Sequence, residues 1–510
     1  VGQADSLIIT ALRLPQLEEA ARWREQGVAV MNEAVVRQFH DDGSHLEVNP
    51  SYHLWMADVM RFYCQLAVKM PELGIEIDPT RVATMFDYAI GSIAPDGALN
   101  GLHDCQPYAN HYPGMAKPVW DKRTQFLTDM DLPTDLPATS QCFPDAGQSC
   151  VRTDWSEKAD YVTFEASVWG GSHAHLSRNA MQLHVAGEPI FIDPGHLGYE
   201  VTNPLMPLGK STRGHNTVNV NGWNQSPADP TRFEHWSAPG RDLMIGEYEG
   251  GYWPGRLWWR YDAGMGEGIW AKHHRSLYWD QAGFLIVIDA VNFSFSRDLK
   301  TEPIEPFVEM NFQCMPDAEV DLAADASVAS VRRNGAGALV HFIDRPADTT
   351  ADVAAGEMDP PRGWVPIDAE PVPAPQIRLA TPQLTAPAAE FITVIFPFTD
   401  QAQPDVHVTF DRPDPNMTAR VKLDWNSGRT DELWWTYCLD HPLYKVGDWR
   451  IDAAFAHLCR APEAKTPALT LCPDRGLHHH QGETRSIGMT PLHLSPRRRP
   501  PATKRLGGQG

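Results

Sequence analysis

The chain has 510 residues, 42% hydrophobic and 21% charged, a composition that folds and a length too great for one compact core, so at least two domains are expected. Its 43 Lys and Arg against 65 Asp and Glu give a formal net charge of −22, which repels nucleic acid and anionic membrane and argues against nucleic acid as a partner. Net charge does not decide against an acidic polysaccharide, because screening confines the field to roughly 10 Å. No stretch approaches the roughly 20 apolar residues that span a bilayer. The start, Val1-Gly2-Gln3, has neither an initiator Met nor a signal-like segment, so the natural start is expected upstream. The 8 cysteines form no C-x-x-C pair and leave the redox compartment open.

Residues 1–130 read as helical. From Leu17 to Phe39 the positions Ala20, Trp23, Gly27, Val30, Met31, Ala34 and Val35 recur at threes and fours, the spacing of one helix face. A second helix starts near Pro50-Ser51, with Ser51 as its expected cap, and carries Trp55, Val59, Phe62, Tyr63 and Leu66. A third starts at Asp78-Pro79, with Asp capping, and runs to Gly91. The loops Asp42-Gly43 and Asp96-Gly97 lie 54 positions apart, the spacing of a repeated helical hairpin.

Between Asp131 and Gly147 the prolines Pro133, Pro137 and Pro144 mark a linker, set here at 131–142, or the first turns of a new domain. From 143 to 494 the texture becomes that of short strands: Phe191 to Asp193, Thr217 to Val220, Leu285 to Val291 and Phe391 to Phe396, with Asn221-Gly222 as a hairpin turn. Many short strands without long helices between them favour a sandwich or barrel. Residues 495–510 carry no core pattern and are expected to be a disordered tail.

Within the strand region, His173-Ala174-His175 sets two imidazoles at positions that share one face of a strand. Asp193 ends an apolar run, and His215 precedes Asn216-Thr217-Val218. Two imidazoles and one carboxylate, His175, Asp193 and His215, suit a borderline-soft ion such as zinc. No H-E-x-x-H motif is present, and no general base for a metal-bound water is evident.

These segments together resemble the heparinase II/III-like polysaccharide lyases, whose members carry a glycine-rich H-x-H, then a D-P-G or D-x-G turn, then H-N-T-V followed by D-G or N-G. Here they are His173-Ala174-His175, Asp193-Pro194-Gly195 and His215-Asn216-Thr217-Val218 with Asn221-Gly222. Phe143 to Gly147 with Val151-Arg152 looks like the first strand of the family's C-terminal domain. Asp42-Gly43 to Glu47, then Tyr52-His53, is similar to the family's D-G-x-x-x-E-x-S-x-x-Y-H, with Asn49 in place of Ser. The resemblance implies an α+β multidomain chain: an incomplete (α/α) toroid over 1–130, then an antiparallel β-sandwich domain, with the cleft between them. It implies a site-shaping zinc on His175, Asp193 and His215, Tyr52 in proton transfer, His173 pointing into the cleft, and a periplasmic or secreted location. The family's carboxylate-holding asparagine or histidine falls at or before Val1. Either the first part of the toroid is missing from this sequence or that group has been lost.

The implied reaction is β-elimination next to a uronic acid in a polysaccharide or oligosaccharide: removal of the C5 proton and expulsion of the C4 oxygen. Fixed donors must neutralise the charge that develops on the carboxylate. His173 is the candidate donor and Arg152 a weaker one, while Trp169 and Tyr199 are candidate sugar-stacking faces. His45, His53, His103 and His111 are unranked cleft candidates. Two alternatives remain open at this point: a non-catalytic carbohydrate-binding or structural protein that keeps fold and metal, and a metal-dependent hydrolase.

Overall fold

The computed structural model describes residues 1–106, 116–200, 202–254, 268–293, 305–368, 370–399, 403–414, 418–436, 443–446, 449–464, 467–472, 477–478 and 486–494, so the expected tail lies outside them. Five helices come first: α1 (Gly2–Arg13), α2 (Ala20–Arg37), α3 (Pro50–Lys69), α4 (Pro79–Gly91) and α5 (Ala116–Asp129). In α2 the core face holds Val28 and leaves Val30 45% exposed, a correction to the sequence reading. The reason is tertiary: α1 packs against Gly27, whose position is so close to Ile8 and Ala4 that the neighbouring Val28 turns inward with it. The cap of α3 is Asn49 rather than Ser51, because Pro50 takes the first helical position and the Asn49 side chain accepts from the N–H groups of Ser51 and Tyr52. α4 begins at Pro79 with Asp78 accepting from Thr80 N–H.

The turns after α2 and α4 repeat one hydrogen-bond pattern. His40 N–H donates to Ser44 O, Gly43 to His40 O and Leu46 to Gln38 O; in the second turn Ala94 donates to Ala98 O, Gly97 to Ala94 O and Asn100 to Ser92 O. Each turn carries one antiparallel bridge, Phe39 with His45 and Ile93 with Leu99. The chain thus leaves two successive helices in the same way. It delivers Glu47 to Tyr52 from the first turn, and Gly101 to Asp104 from the second, towards the β region.

That region begins at Ser140, inside the segment read as linker. Strands β1 (Ser140–Phe143), β2 (Gln148–Arg152), β3 (Tyr161–Glu165), β4 (Ala180–Val185) and β5 (Glu188–Phe191) pair in chain order into one sheet. A nine-stranded sheet forms the middle layer, and a six-stranded sheet lies beyond it. The strand Phe284–Asn292 explains the layering. Its Leu285, Val287 and Val291 face a core shared with Phe164, Leu183 and Phe312, and its Phe284, Ile286 and Ile288 face another shared with Val421, Leu433 and Phe455. A strand apolar on both faces must lie between two layers. Described strand pairs are antiparallel except Ala468–Cys472 with Ser486–Gly488.

The helical and β parts are joined by polar contacts. Asp42 Oδ2 accepts from Asp145 N–H (2.7 Å) and Ala146 N–H (3.2 Å). Tyr88 donates to Gln148 Oε1 (2.7 Å), and Gln148 Nε2 donates to Val48 O (3.0 Å). These fix the turn that carries Glu47 and Tyr52 against the loop that carries His173.

Candidate active site and metal centre

Loops from three places bring His175, Asp193 and His215 together, with donor atoms within 4.8 Å of one another and side chains fully buried. Gly171–His173 is a single 3-10 turn, not the strand that alternation suggests. Gly171 has φ +81°, and a Cβ on Gly170 would lie 2.3 Å from Glu47 O, so the segment must bend against the helical domain. The bend sends the two imidazoles to different places: His175 into the interior, and His173 to a part-exposed position beside Glu47. Asp193 follows β5 and is backed by Gly101, where a Cβ would lie 2.2 Å from Asp193 O. His215 follows the 3-10 turn Thr212–Gly214 and precedes β6 (Val218–Val220).

Asn216 holds this arrangement. Its Nδ2 donates to Met181 O (2.8 Å) and Ile192 O (2.9 Å), and its Oδ1 accepts from Gln313 N–H (2.5 Å). Arg275, bound to Asp289 at 2.7 and 3.0 Å, donates to Asn216 O at 2.6 Å. The backbone between the ligand candidates is therefore pinned by a buried charge pair, which would be costly to break.

His215 Nδ1 lies 2.7 Å from Asp193 Oδ2, while His215 Nε2 and His175 Nδ1 are buried and have no hydrogen-bond partner among the described residues. Two buried imidazole nitrogens left unpaired are unfavourable unless a further group binds them, and with the carboxylate they fit a divalent cation. Burial, with Lys210 adding to it, holds His175 far below its ordinary pKa and so in the neutral, ligating form. Burial also opposes charging of His215, but the charge and hydrogen bond of Asp193 outweigh it and raise the pKa. A second group, Asp431, His457 and Cys459, is close enough for a metal, yet His457 Nε2 (2.9 Å), Trp425 Nε1 (2.7 Å) and Arg429 (2.8 Å) already occupy Asp431. It is an ion-pair network.

At the junction of the domains the ring centroids of Tyr52 and His173 are 4.5 Å apart. The hydroxyls of Tyr52 and Tyr199 are hydrogen-bonded at 2.7 Å, and His196 packs on Tyr199 with centroids 4.5 Å apart. His173 Nδ1 lies 3.0 Å from Glu47 Oε2. That hydrogen bond raises the pKa of His173 and lowers that of Glu47. Between this group and the metal candidates stands Asp104. Its Oδ1 is 2.8 Å from His175 Nε2 and 2.5 Å from Lys210 Nζ, while its Oδ2 is buried and has no hydrogen-bond partner among the described residues. Burial, and next the Asp104 charge, push the Tyr199 pKa up.

Comparison with known proteins gives the family and the fold. The family model described as Heparinase II/III-like, C-terminal, matches residues 136–390, and that described as Heparinase II/III N-terminus matches residues 1–118. The chain belongs to the heparinase II/III-like family. A heparin-sulfate lyase of Pedobacter heparinus is 19% identical over 420 residues, 80% of this chain and 59% of that protein. One from Bacteroides stercoris is 24% identical over 249 residues, 44% of this chain and 35% of that protein. The chain thus spans well under two thirds of either relative. The crystal structure of heparan sulfate lyase HepC from Pedobacter heparinus superposes with a TM-score of 0.64 at 18% identity, over 87% of this chain and 66% of that one. The fold is that of these heparinases: helices of an α toroid, then antiparallel β layers.

In this heparinase-family chain the remaining sequence candidates land in different places. Tyr199 is 52% exposed and joins Tyr52 by its hydroxyl. Trp169 lies in the loop before the 3-10 turn, its N–H donating to Asp229 Oδ1 (2.8 Å) and its ring 5.5 Å from the Arg178 guanidinium. Arg152 is not brought to the group. It is buried between Trp155 and Tyr161 and donates to Gly91 O (3.1 Å) and Ile93 O (2.8 Å), the carbonyls at the end of α4. His53 is a core residue donating from Nε2 to Met85 O (2.8 Å), and His103 Nδ1 accepts from His175 N–H (3.2 Å) behind the metal candidates. His111 lies outside the described residues. Sequence reasoning gives no role to Glu47, Asp104 or Lys210. Glu47 stands inside the quoted motif, but nothing local marks Asp104 or Lys210.

Proposed function

We propose that this chain carries a polysaccharide lyase that cleaves a uronic-acid-containing glycan of the glycosaminoglycan type by β-elimination. The observation that carries the reading is the meeting of Tyr52 and His173 at the domain junction, with Glu47 bound to one and Tyr199 to the other. The Tyr52 oxygen takes the C5 proton and returns a proton to the departing C4 oxygen; the C5–H and C4–O bonds break, a C4=C5 double bond forms, and the tyrosine ends as it began. His173, held by Glu47 through Nδ1, turns Nε2 towards the uronate carboxylate, where charge accumulates as the C5 proton leaves.

Zinc is the ion we assign to His175, Asp193 and His215, on the chemistry of the donor set. When bound, it supplies a fixed positive charge that orders the loops bearing these residues. A metal-dependent hydrolase is a poorer reading, because His175, Asp193 and His215 are at most 1% exposed and a glycan bond cannot reach them. The test is the absorbance of the conjugated unsaturated uronate on incubation with heparan-type and other uronate polymers. Product with no such absorbance would replace elimination with hydrolysis.

A further inference from the structure

We propose, resting on the reading of the Tyr52–His173 cleft as the place of elimination, that Trp253 and Trp270 form a distal subsite on which another pyranose ring of the same glycan stacks. Among the described residues of the β region, the exposed aromatic side chains are Tyr199, which stands in the cleft, and Trp270, each 52% exposed. An indole combines a broad apolar face with one N–H. It can take the C–H face of a sugar ring out of water while tolerating the hydroxyls around it.

The local backbone sets the pair. Tyr252 and Ile269 exchange two backbone hydrogen bonds of 2.8 Å and both side chains are buried, so their neighbours Trp253, Gly268 and Trp270 lie on the outward side. A Cβ on Gly268 would stand 2.3 Å from the Trp253 ring, so glycine is what leaves that indole its place. Trp253 Nε1 donates to Gly250 O at 3.4 Å. With Trp253 held there, the two rings stand at 82° with centroids 6.0 Å apart, a corner with one exposed wall.

The corner is tied to the loops of the cleft. Trp253 pairs with Asn224, whose Oδ1 accepts from Thr212 N–H at 3.0 Å, and Gln225 donates its N–H to Thr212 Oγ1 at 2.9 Å. Thr212 begins the turn after Lys210, which donates to Ser172 O beside His173. Further along the same segment, Asp229 accepts from Trp169 N–H at 2.8 Å, in the loop that leads to His173. The stretch from Asn224 to Asp229 is thus fastened at both ends to the walls of the cleft, and a chain bound at His173 can continue along it to the indoles. Charge has little part in recognition there, because Lys272, the next cation in sequence, is held by Glu247 and Glu249 at 2.8 and 2.9 Å. The subsite takes a pyranose by its ring face, so it favours long chains over short ones and does not select sulfated over unsulfated ones.

Titration calorimetry of the Tyr52→Phe protein with a heparan-type tetrasaccharide and dodecasaccharide reads binding without turnover. Adding Trp270→Ala is expected to weaken dodecasaccharide binding by about 5- to 10-fold, the scale of one aromatic contact, and to leave the tetrasaccharide unchanged. Trp270→Tyr keeps a ring face and should recover most of the loss. Chemical removal of the sulfates from the dodecasaccharide should leave the effect of Trp270→Ala as it was. In turnover by protein that retains Tyr52, Trp270→Ala should raise KM for the polymer by the same factor with kcat unchanged. Equal dodecasaccharide affinity with and without the indole would overturn the subsite, as would a loss that Trp270→Tyr does not recover or failure of the natively melting protein to bind either oligosaccharide. A loss as large for the tetrasaccharide would place Trp270 in the cleft itself and overturn the distal position. A length-dependent loss, in a protein whose wild type yields no unsaturated uronate, would leave the subsite standing and count against the lyase reading alone.

Discussion

Glu47, from the turn before α3, and His173, from the 3-10 turn in the β region, meet at 3.0 Å with their side chains 28% and 30% exposed. A part-exposed pair contributes little to stability. On the proposed reading it orients the imidazole from the far side of the domain junction. Glu47→Ala is expected to leave the melting temperature within about 2 °C, the scale of a surface change, and to lower elimination by roughly 10- to 100-fold. Thermal melts and initial rates on one preparation check this, and an unchanged rate would remove Glu47 from the site.

His215→Ala should weaken zinc binding by more than about 100-fold, beyond what loss of an outer residue causes, and should lower the melting temperature in the presence of zinc, because an ion that binds only the folded state stabilises it. His173→Ala should retain zinc. Metal content after dialysis, with melts in the presence and absence of a chelator, separates the two histidines that stand two positions apart in the sequence.

Arg152→Ala is expected to destabilise the protein by about 2–4 kcal/mol, since it takes the Arg152 donor from the buried carbonyl of Ile93, removes one of the two side-chain donors to Gly91 O, and empties the space between Trp155 and Tyr161. The rate per folded molecule should be unchanged. A raised KM with normal stability would return Arg152 to substrate binding.

Acid should weaken the helical domain through its buried histidines. Burial holds His53 down to about 3 and, against the opposing charge of Glu47, holds His45 to about 4. A folded pKa below the unfolded value of 6.5 means that the stabilisation is present above pH 6.5 and is lost as pH falls towards 3 or 4. Between pH 7 and 5 the loss is about 2 kcal/mol per histidine. Urea unfolding at the two pH values measures it. His53→Gln, which keeps a donor for Met85 O, should reduce the drop; an equal drop would assign the acid sensitivity elsewhere.

Local signals were legible where a local cause decides the structure. Asp78-Pro79 starts a helix because cap and proline act on their own backbone, and the spacing of Asp42-Gly43 and Asp96-Gly97 corresponds to two turns with the same hydrogen bonds. Tertiary causes were not legible. Threes-and-fours spacing admits both Val28 and Val30, and the packing of α1 on Gly27 chooses between them. Alternation at His173-Ala174-His175 suggests a strand, but Gly170 lies against Glu47, a partner on another domain, and the segment turns. Asp104 reaches His175 across 71 positions, and no pattern around either residue announces that contact. Arg152, near a family motif, reads as a weaker candidate for the substrate carboxylate, whereas its side chain donates to the carbonyls of Gly91, the last residue of α4, and of Ile93 in the turn after it.

The central claim is that elimination runs through Tyr52 in a cleft shared with His173. Its most direct measurement is the initial rate of unsaturated-uronate formation by wild-type protein and by Tyr52→Phe on the best uronate polymer, with circular dichroism to confirm that both are folded. Tyr52 is the third residue of a helix capped by Asn49, and among the described residues its hydroxyl bonds to Tyr199 at the cleft side, so removing the oxygen should leave the fold intact. The expected result is a rate lower by about 100-fold or more, the scale of a positioned proton-transfer group. Equal rates for the two proteins would contradict the account.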